Sequence, residues 1–214
     1  MADVNLLAPL DSAKAEQYRV LRSRLLNRAT PYSGQRIFGI VSPAESFEPM
    51  LIAANLAVSV AESGRSVALI DADLRPSYGS LDQVFEIDPA GGLAGVLSQE
   101  SDEIEVPWQA GSRELLQILC AGSLGENHPG DLLLSPRLSY FLEHMRETAD
   151  LVLVNLPALE HPESLWVASQ MDGVLLVVER GKSRHRQLAE AQSRLTEIGT
   201  PIMGSVLVSR PSVG

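Results

Sequence analysis

Cysteine is nearly absent from this chain of 214 residues; Cys120 is the only one. An internal disulfide is therefore excluded, and the composition fits a reducing compartment. Cys120 follows Leu115-Leu116-Gln117-Ile118-Leu119, an apolar run that predicts a buried thiol rather than a nucleophile. Long hydrophobic runs are missing too. The longest, Met50 to Ala61, is too short and too rich in small residues to span a bilayer. No signal-peptide pattern opens the chain. Basic residues are in deficit, 17 Lys and Arg against 27 Asp and Glu, for a net charge of -10. That balance argues against nucleic acid and against nonspecific binding to anionic membranes. The four histidines, His128, His144, His161 and His185, lack metal-ligand spacing, so no metal site is expected. There is no internal repeat and no low-complexity segment. What is present is 45% hydrophobic residues, enough for one full core. The expectation is a single cytoplasmic domain over residues 1–214, reaching the inner membrane only through a partner.

The stretch from Arg36 to Arg75 organises the rest. Ile37, Phe38, Ile40 and Val41 suit a strand buried on both faces. Ser42-Pro43 ends it, because proline disfavours helical geometry in the residue before it. A helix is predicted from Pro49 to Glu62-Ser63-Gly64, with proline at its start and glycine at its end. Ser66 to Ile70 predicts a second strand, ending in Asp71-Ala72-Asp73. This is the βαβ skeleton on which nucleotide-binding proteins build a phosphate loop.

The loop departs from that role. A working loop has the pattern G-x-x-x-x-G-K-[ST]: glycines to wrap phosphate, a lysine for its outer oxygens and a hydroxyl for magnesium. Here the span reads Ala44, Glu45, Ser46, Phe47, Glu48, Pro49, Met50. Counted back from Ala53-Ala54-Asn55-Leu56-Ala57, Glu48 stands at the second glycine, Pro49 at the lysine and Met50 at the hydroxyl. Pro49 also lacks an N–H to offer phosphate. Glu45 and Glu48 would repel an anion; at about 6 Å and an effective dielectric of about 20, one carboxylate costs ~3 kcal/mol per opposing charge. The reading is a nucleotide-binding fold that has lost its nucleotide, with no cofactor expected and Mg-ATP required only if the site still works.

Around this unit, Met1 to Asp11 reads as a flexible arm. Ser12 caps a helix within residues 12–29 on which Glu16, Arg19 and Arg22 recur every third residue and share a face. By spacing alone that face is a solvated charged surface. Further on, Glu105 to Gln109 and Leu115 to Leu119 are candidate strands about the Gly111-Ser112 turn. Gly91-Gly92 enters a short helix and reads as a turn rather than a phosphate cradle. Pro129 opens one helix and Pro136 another to Thr148. Leu151 to Val154, Gly173 to Val178 and Ile202 to Val208 are strands, with a helix to Ile198 before the last. Strands alternating with helices imply a three-layer α/β/α sandwich with a mostly parallel sheet. Asp71 and Asp73 end a strand where such folds place ligands, and are the catalytic candidates if the site is active; the plain reading is that they cap the next turn. Asn155 ends the strand that should offer magnesium a carboxylate, and a neutral amide is a poorer ligand. Arg180, Lys182, Arg184, His185 and Arg186 form the one basic cluster, either a solvated helix start or a contact for an acidic partner.

Taken together, Glu16-Gln17-Tyr18-Arg19-Val20-Leu21-Arg22, Ala53 to Ala57, Leu69-Ile70-Asp71-Ala72-Asp73-Leu74-Arg75-Pro76, Leu119-Cys120-Ala121-Gly122, Asp150-Leu151-Val152 and Asp172 to Val178 resemble one family in order and spacing. The likeness, over nearly the whole chain, is to the cytoplasmic domain of bacterial tyrosine kinases of capsule and exopolysaccharide synthesis. These form part of the Min/Par-like branch of P-loop ATPases. The resemblance implies an ATP-driven ring that phosphorylates its own C-terminal tyrosines and answers to a membrane polysaccharide co-polymerase, or chain-length regulator. It also implies that Glu16, Arg19 and Arg22 form the oligomer contact. The departures fall on chemistry: Glu48, Pro49 and Met50 in the loop, Asn155 for the second magnesium-site aspartate, and Ser209 where an adenine-contacting asparagine is common. The tyrosines Tyr18, Tyr32, Tyr78 and Tyr140 are dispersed. The resulting expectation is a pseudokinase: a non-catalytic scaffold or regulator of polysaccharide assembly and export, partnered by the co-polymerase or by an active kinase paralogue, as a homo- or hetero-oligomer. Two rivals stand beside it: an ATP-dependent kinase with an unorthodox site at Asp71 and Asp73, and a Min/Par-type positioning protein.

Overall fold

The computed structural model describes residues 7–9, 12–27, 34, 36–75, 79–89, 91–101, 103–181 and 185–209. Helix α1 (Ala13–Leu26) precedes the organising unit of strand β1 (Ile37–Val41), helix α2 (Glu48–Ala61) and strand β2 (Val67–Asp71). Short helices α3 (Leu81–Phe85) and α4 (Gly92–Ser98) lead to strands β3 (Gln109–Ala110) and β4 (Leu116–Leu119). Then come α5 (Pro129–Leu133), α6 (Pro136–Met145), β5 (Leu151–Asn155), α7 (Ser164–Ser169), β6 (Gly173–Glu179), α8 (His185–Glu197) and β7 (Ile202–Val208).

The seven strands form one sheet in the order β3-β4-β2-β5-β1-β6-β7, parallel except for β3. Every residue of β1, β2 and β5 is buried, as their unbroken apolar runs require. The period of two sorts them to opposite faces. Phe38, Ile40 and Leu69 join Tyr18, Leu25, Leu56 and Val60 beneath α1 and α2. Ile37, Val41, Ile70 and Val152 join Leu93, Phe141, Val167 and Leu195 beneath α4 to α8. The sheet is thus the middle of three layers. The β1–α2–β2 unit places the carboxyl ends of β1, β2, β5 and β6 at one edge, where the loop Ser42 to Phe47 crosses.

Several local expectations shift. The candidate strand at Glu105 to Gln109 is reduced to the pair Gln109–Ala110. Pro107 cannot donate, and the Trp108 N–H turns back to the Val106 carbonyl at 2.8 Å, so no ladder forms there. The helix expected to reach Thr148 ends at Met145, its last turn tightened by Thr148 N–H bonding to the Met145 carbonyl. The Gly91-Gly92 turn is as read: both glycines have positive φ, and a Cβ on Gly92 would lie 2.3 Å from Gly122 Cα. The first amides of α4 are spent on the carbonyls of Cys120 and Ala121. Ser12 Oγ accepts the Ala15 N–H at 3.1 Å, the expected cap on α1. Of the N-terminal arm, Leu7 and Ala8 pack against the α1/α2 core, and the Ala8 N–H donates to Asn55 Oδ1 at 2.6 Å. Its other residues except Pro9 lie outside the described ones, as do residues 28–29, Pro76, Tyr32, Tyr78, Lys182 and Arg184.

Candidate functional site: the loop between the first strand and its helix

The loop following β1 is held by the chain's own side chains. Ser42 Oγ donates to the Ala44 carbonyl at 2.7 Å, and the Ser42 carbonyl accepts the Leu159 N–H at 2.9 Å. The Glu45 N–H donates to Glu160 Oε1 at 2.6 Å, so a carboxylate of this chain already sits on that amide. Glu45 Oε1 is 3.1 Å from His161 Nε2. The Ser46 hydroxyl donates to the Glu179 carboxylate, and Ser46 Oγ accepts the Glu48 N–H at 3.1 Å. Pro49, next in line, has no N–H. Three loop positions that would turn an amide toward phosphate thus have none to offer. The free space beside Ser42 to Ser46, closed by Val177, Glu179 and Gln187, is about 190 Å³. Pockets that enclose a drug-sized ligand run to roughly 300–1,000 Å³.

The substituted residues face different ways. Met50 is 3% exposed and packs in the core under α1. Glu48 is also buried; its side chain lines a separate groove beside Tyr18 rather than the loop pocket. Burial, with the Glu48 charge adding to it, raises the Tyr18 hydroxyl to about 12. Phe47 lies over Gly79, whose Cβ would fall 2.5 Å from the ring. Of the span Ala44 to Met50, only Ala44, Glu45 and Ser46 line the space beside the loop.

Beside the loop, Asp71 and Asn155 are direct partners in the β2–β5 register. Asp71 is 2% exposed, and its Oδ1 accepts Asn155 Nδ2 at 2.8 Å and the Asp73 N–H at 3.1 Å. Asp73 Oδ1 in turn accepts the Arg75 N–H at 3.3 Å. The two acids do cap the turn. Burial pushes Asp71 up to about 7 and Asp73 up to about 6, against the pull of these hydrogen bonds. Both face a cavity of about 410 Å³ with Asp82 on its wall. An aspartate at 155 would set a second carboxylate 2.8 Å from Asp71 and need a shared proton or a cation between them; the amide needs neither.

Sequence reading missed four members of this site. Glu160 and His161 come from beyond β5, Glu163 pairs with Arg75, and Glu179 ends β6. His161, Glu45 and Glu160 place ligand atoms within 4.8 Å of one another, a grouping that sequence spacing did not indicate. Each partner lies more than 80 residues from the group it meets, and nothing local marks it.

The helix expected to mediate assembly is partly engaged within the chain. Arg19 pairs with exposed Glu16 at 2.8 Å. Arg22 donates instead to the Ser59 carbonyl at 2.6 Å, fastening α1 onto α2. Arg180, His185 and Arg186 of the basic cluster are exposed and stand at the carboxyl end of β6, the edge the loop crosses, and at the start of α8. Cys120 is 3% exposed and burial raises its thiol to about 12, an inert core group as expected.

A mostly parallel sheet with a loop and helix after its first strand, interior to the sheet, and acids at the end of the next strand in sequence has the architecture of a P-loop ATPase fold. Solved structures bear this out: the kinase domain of the Escherichia coli tyrosine kinase ETK superposes with a TM-score of 0.83 over 97% of this chain and 83% of that one, at 24% identity. MinD of Pyrococcus horikoshii complexed with Mg-ADP gives 0.67 over 81% of this chain and 70% of its own, at 24% identity. The BceF tyrosine kinase domain gives 0.79 at 29% identity, covering 92% of this chain and 78% of that one. No family model matches the chain. Among curated proteins, tyrosine-protein kinase YwqD of Bacillus subtilis is 28% identical over 92% of this chain and 81% of its own length. The succinoglycan biosynthesis transport protein ExoP of Rhizobium meliloti is 32% identical over 82% of this chain, which spans 22% of that protein. The homologues of this chain are bacterial tyrosine-protein kinases. Among the described residues, no helix is long and apolar enough to cross a membrane.

Proposed function

We propose that this chain is a non-catalytic, tyrosine-kinase-like scaffold or regulator in capsule or exopolysaccharide biosynthesis and export. The observation that carries the reading is the occupancy of the loop's donors. Glu160 takes the Glu45 amide, Ser46 takes the Glu48 amide, and Pro49 has none. Asn155 supports it: a neutral amide donates to Asp71 at the position where the resemblance calls for a magnesium-site carboxylate. A scaffold of this kind needs the kinase surfaces but not the triphosphate. The ExoP likeness suggests the setting, and a polysaccharide co-polymerase or an active kinase paralogue is the natural partner. Isothermal titration with Mg-ATP tests the loss of nucleotide binding: no heat at micromolar to millimolar ligand is expected, and a micromolar site overturns the reading. Assembly is tested separately. Arg19→Ala should weaken association in sedimentation velocity with the fold unchanged, and an unaltered profile removes α1 from the interface.

A second reading keeps an enzyme. It rests on the buried Asp71–Asp73 pair, whose raised carboxyls are the kind of shifted groups that mark active sites. ATP turnover abolished by Asp71→Asn would establish it. A Min/Par-type positioning role has no comparable observation behind it.

A further inference from the structure

A groove of about 510 Å³ lies away from the phosphate loop, between α1 and β7. Among the described residues β7 is the last strand of the sheet and bonds to β6 alone. The Val208 carbonyl accepts the Arg180 N–H, so the backbone of Val208 faces β6. By the alternation of a strand, the N–H and C=O groups of Ser205 and Leu207 point outward along the open edge. Val206 and Val208 turn their side chains toward the α1/α2 core, and Val20, across the groove on α1, is 47% exposed. Among the described residues Lys14 and Arg24, at the two ends of the helical wall, make no ion pair or hydrogen bond. Glu48 is the one carboxylate in the groove's lining, beside Tyr18, against the two cations at its ends; in a chain of net charge -10 that local excess of positive charge selects an acidic occupant.

We propose that this groove docks an extended acidic peptide segment of a partner protein, which adds to the sheet as a strand along β7. The spacing specifies the segment. Lys14 and Arg24 are ten residues apart on a helix, a rise of about 15 Å. Four residues of extended chain span about 13 Å and return to the same face. The recognised pattern is therefore a carboxylate at i, an apolar residue at i+2 against Val20, and a carboxylate at i+4. Backbone hydrogen bonds to the edge supply affinity, and the flanking charges supply register and choice of partner. The inference goes beyond the scaffold reading and holds whether or not nucleotide binds at the loop.

The probe is a fluorescein-labelled Thr-Glu-Thr-Val-Thr-Glu-Thr peptide, with a counterpart carrying Lys for both Glu. In fluorescence anisotropy at low salt the acidic peptide should bind at least tenfold tighter, and it should move the amide resonances of residues 205–208. The double variant Lys14→Glu/Arg24→Glu should reverse the preference. Ser205→Pro, tolerated at an edge but lacking the outward N–H, should abolish binding of both. Equal binding of the two peptides, resonance shifts elsewhere, or an unchanged preference in the charge-reversed variant overturns the proposal. So does sedimentation showing a dimer through this groove that the peptide fails to dissociate, since a second copy is then the occupant.

Discussion

The two ends of the sheet treat buried carboxylates in opposite ways. At the end where β1 and β6 begin, Asp172 accepts the backbone N–H groups of Arg36 and Ile37 at 2.7 and 2.8 Å. It also forms a two-pronged pair with Arg146 at 2.9 and 3.0 Å. Burial alone would raise Asp172, but the Arg146 hydrogen bonds and the two amides outweigh it and hold the carboxyl below its ordinary value. At the opposite end, Asp71 and Asp73 have an amide and turn N–H groups but, among the described residues, no ion pair; His161 and Arg75 only pull weakly on Asp73 through space, and burial wins. One end is a finished ion pair that organises the start of two strands. The other keeps its acids in reserve.

The largest effect should come from breaking the finished end. Arg146→Ala leaves Asp172 half-buried without its cation, and should cost about 2–3 kcal/mol in urea unfolding, discounted from the 3–5 of a fully buried pair because both side chains are partly solvated. A loss below about 0.5 kcal/mol would mean that the amides alone suffice.

Next is the pH behaviour of the unfinished end. Asp71 has a folded value near 7 against an ordinary value of 3.8, so the folded state holds the proton more tightly. Stability is then greatest below pH 4 for this group and falls as pH rises toward 7. Asp71→Asn removes the ionisation while keeping the acceptor oxygen for Asn155. It should raise stability by about 2 kcal/mol at pH 8 and leave it unchanged at pH 4. Equal effects at both pH values would break the comparison.

Asn155→Asp sharpens it from the other side. The new carboxylate facing Asp71 should destabilise by about 1–2 kcal/mol at pH 8, less at pH 5, and millimolar magnesium should restore part of the loss if the cage of an ancestral metal survives. Smallest is Ser46→Ala, which removes the hydroxyl bonded to the Glu48 N–H and the Glu179 carboxylate; about 1 kcal/mol is expected from thermal denaturation.

Much of the fold was legible because its signals are local. The runs at Ile37–Val41 and Leu151–Asn155 can only be buried strands, and Ser12, Pro129 and Pro136 mark helix starts whatever surrounds them. Where local signals compete, reading failed: Glu105 to Gln109 has strand-like alternation, yet Pro107 at its centre turns the chain. The candidate site divides in the same way. The substitutions at Glu48, Pro49, Met50 and Asn155 are visible as departures from a pattern, but their directions are not. Glu48 looks like a repulsive charge at a phosphate site and instead lines the groove next to Tyr18.

The sequence by itself determined the layer architecture, the position of the loop and its departure from the G-x-x-x-x-G-K-[ST] pattern, because periodicity and residue chemistry are properties of short segments. Only the tertiary structure decided which groups took their place. Glu160, His161 and Glu179 reach the loop because the parallel strands β5 and β6 end beside β1, and the order of strands in a sheet is set by packing across the whole core rather than by any one stretch of chain.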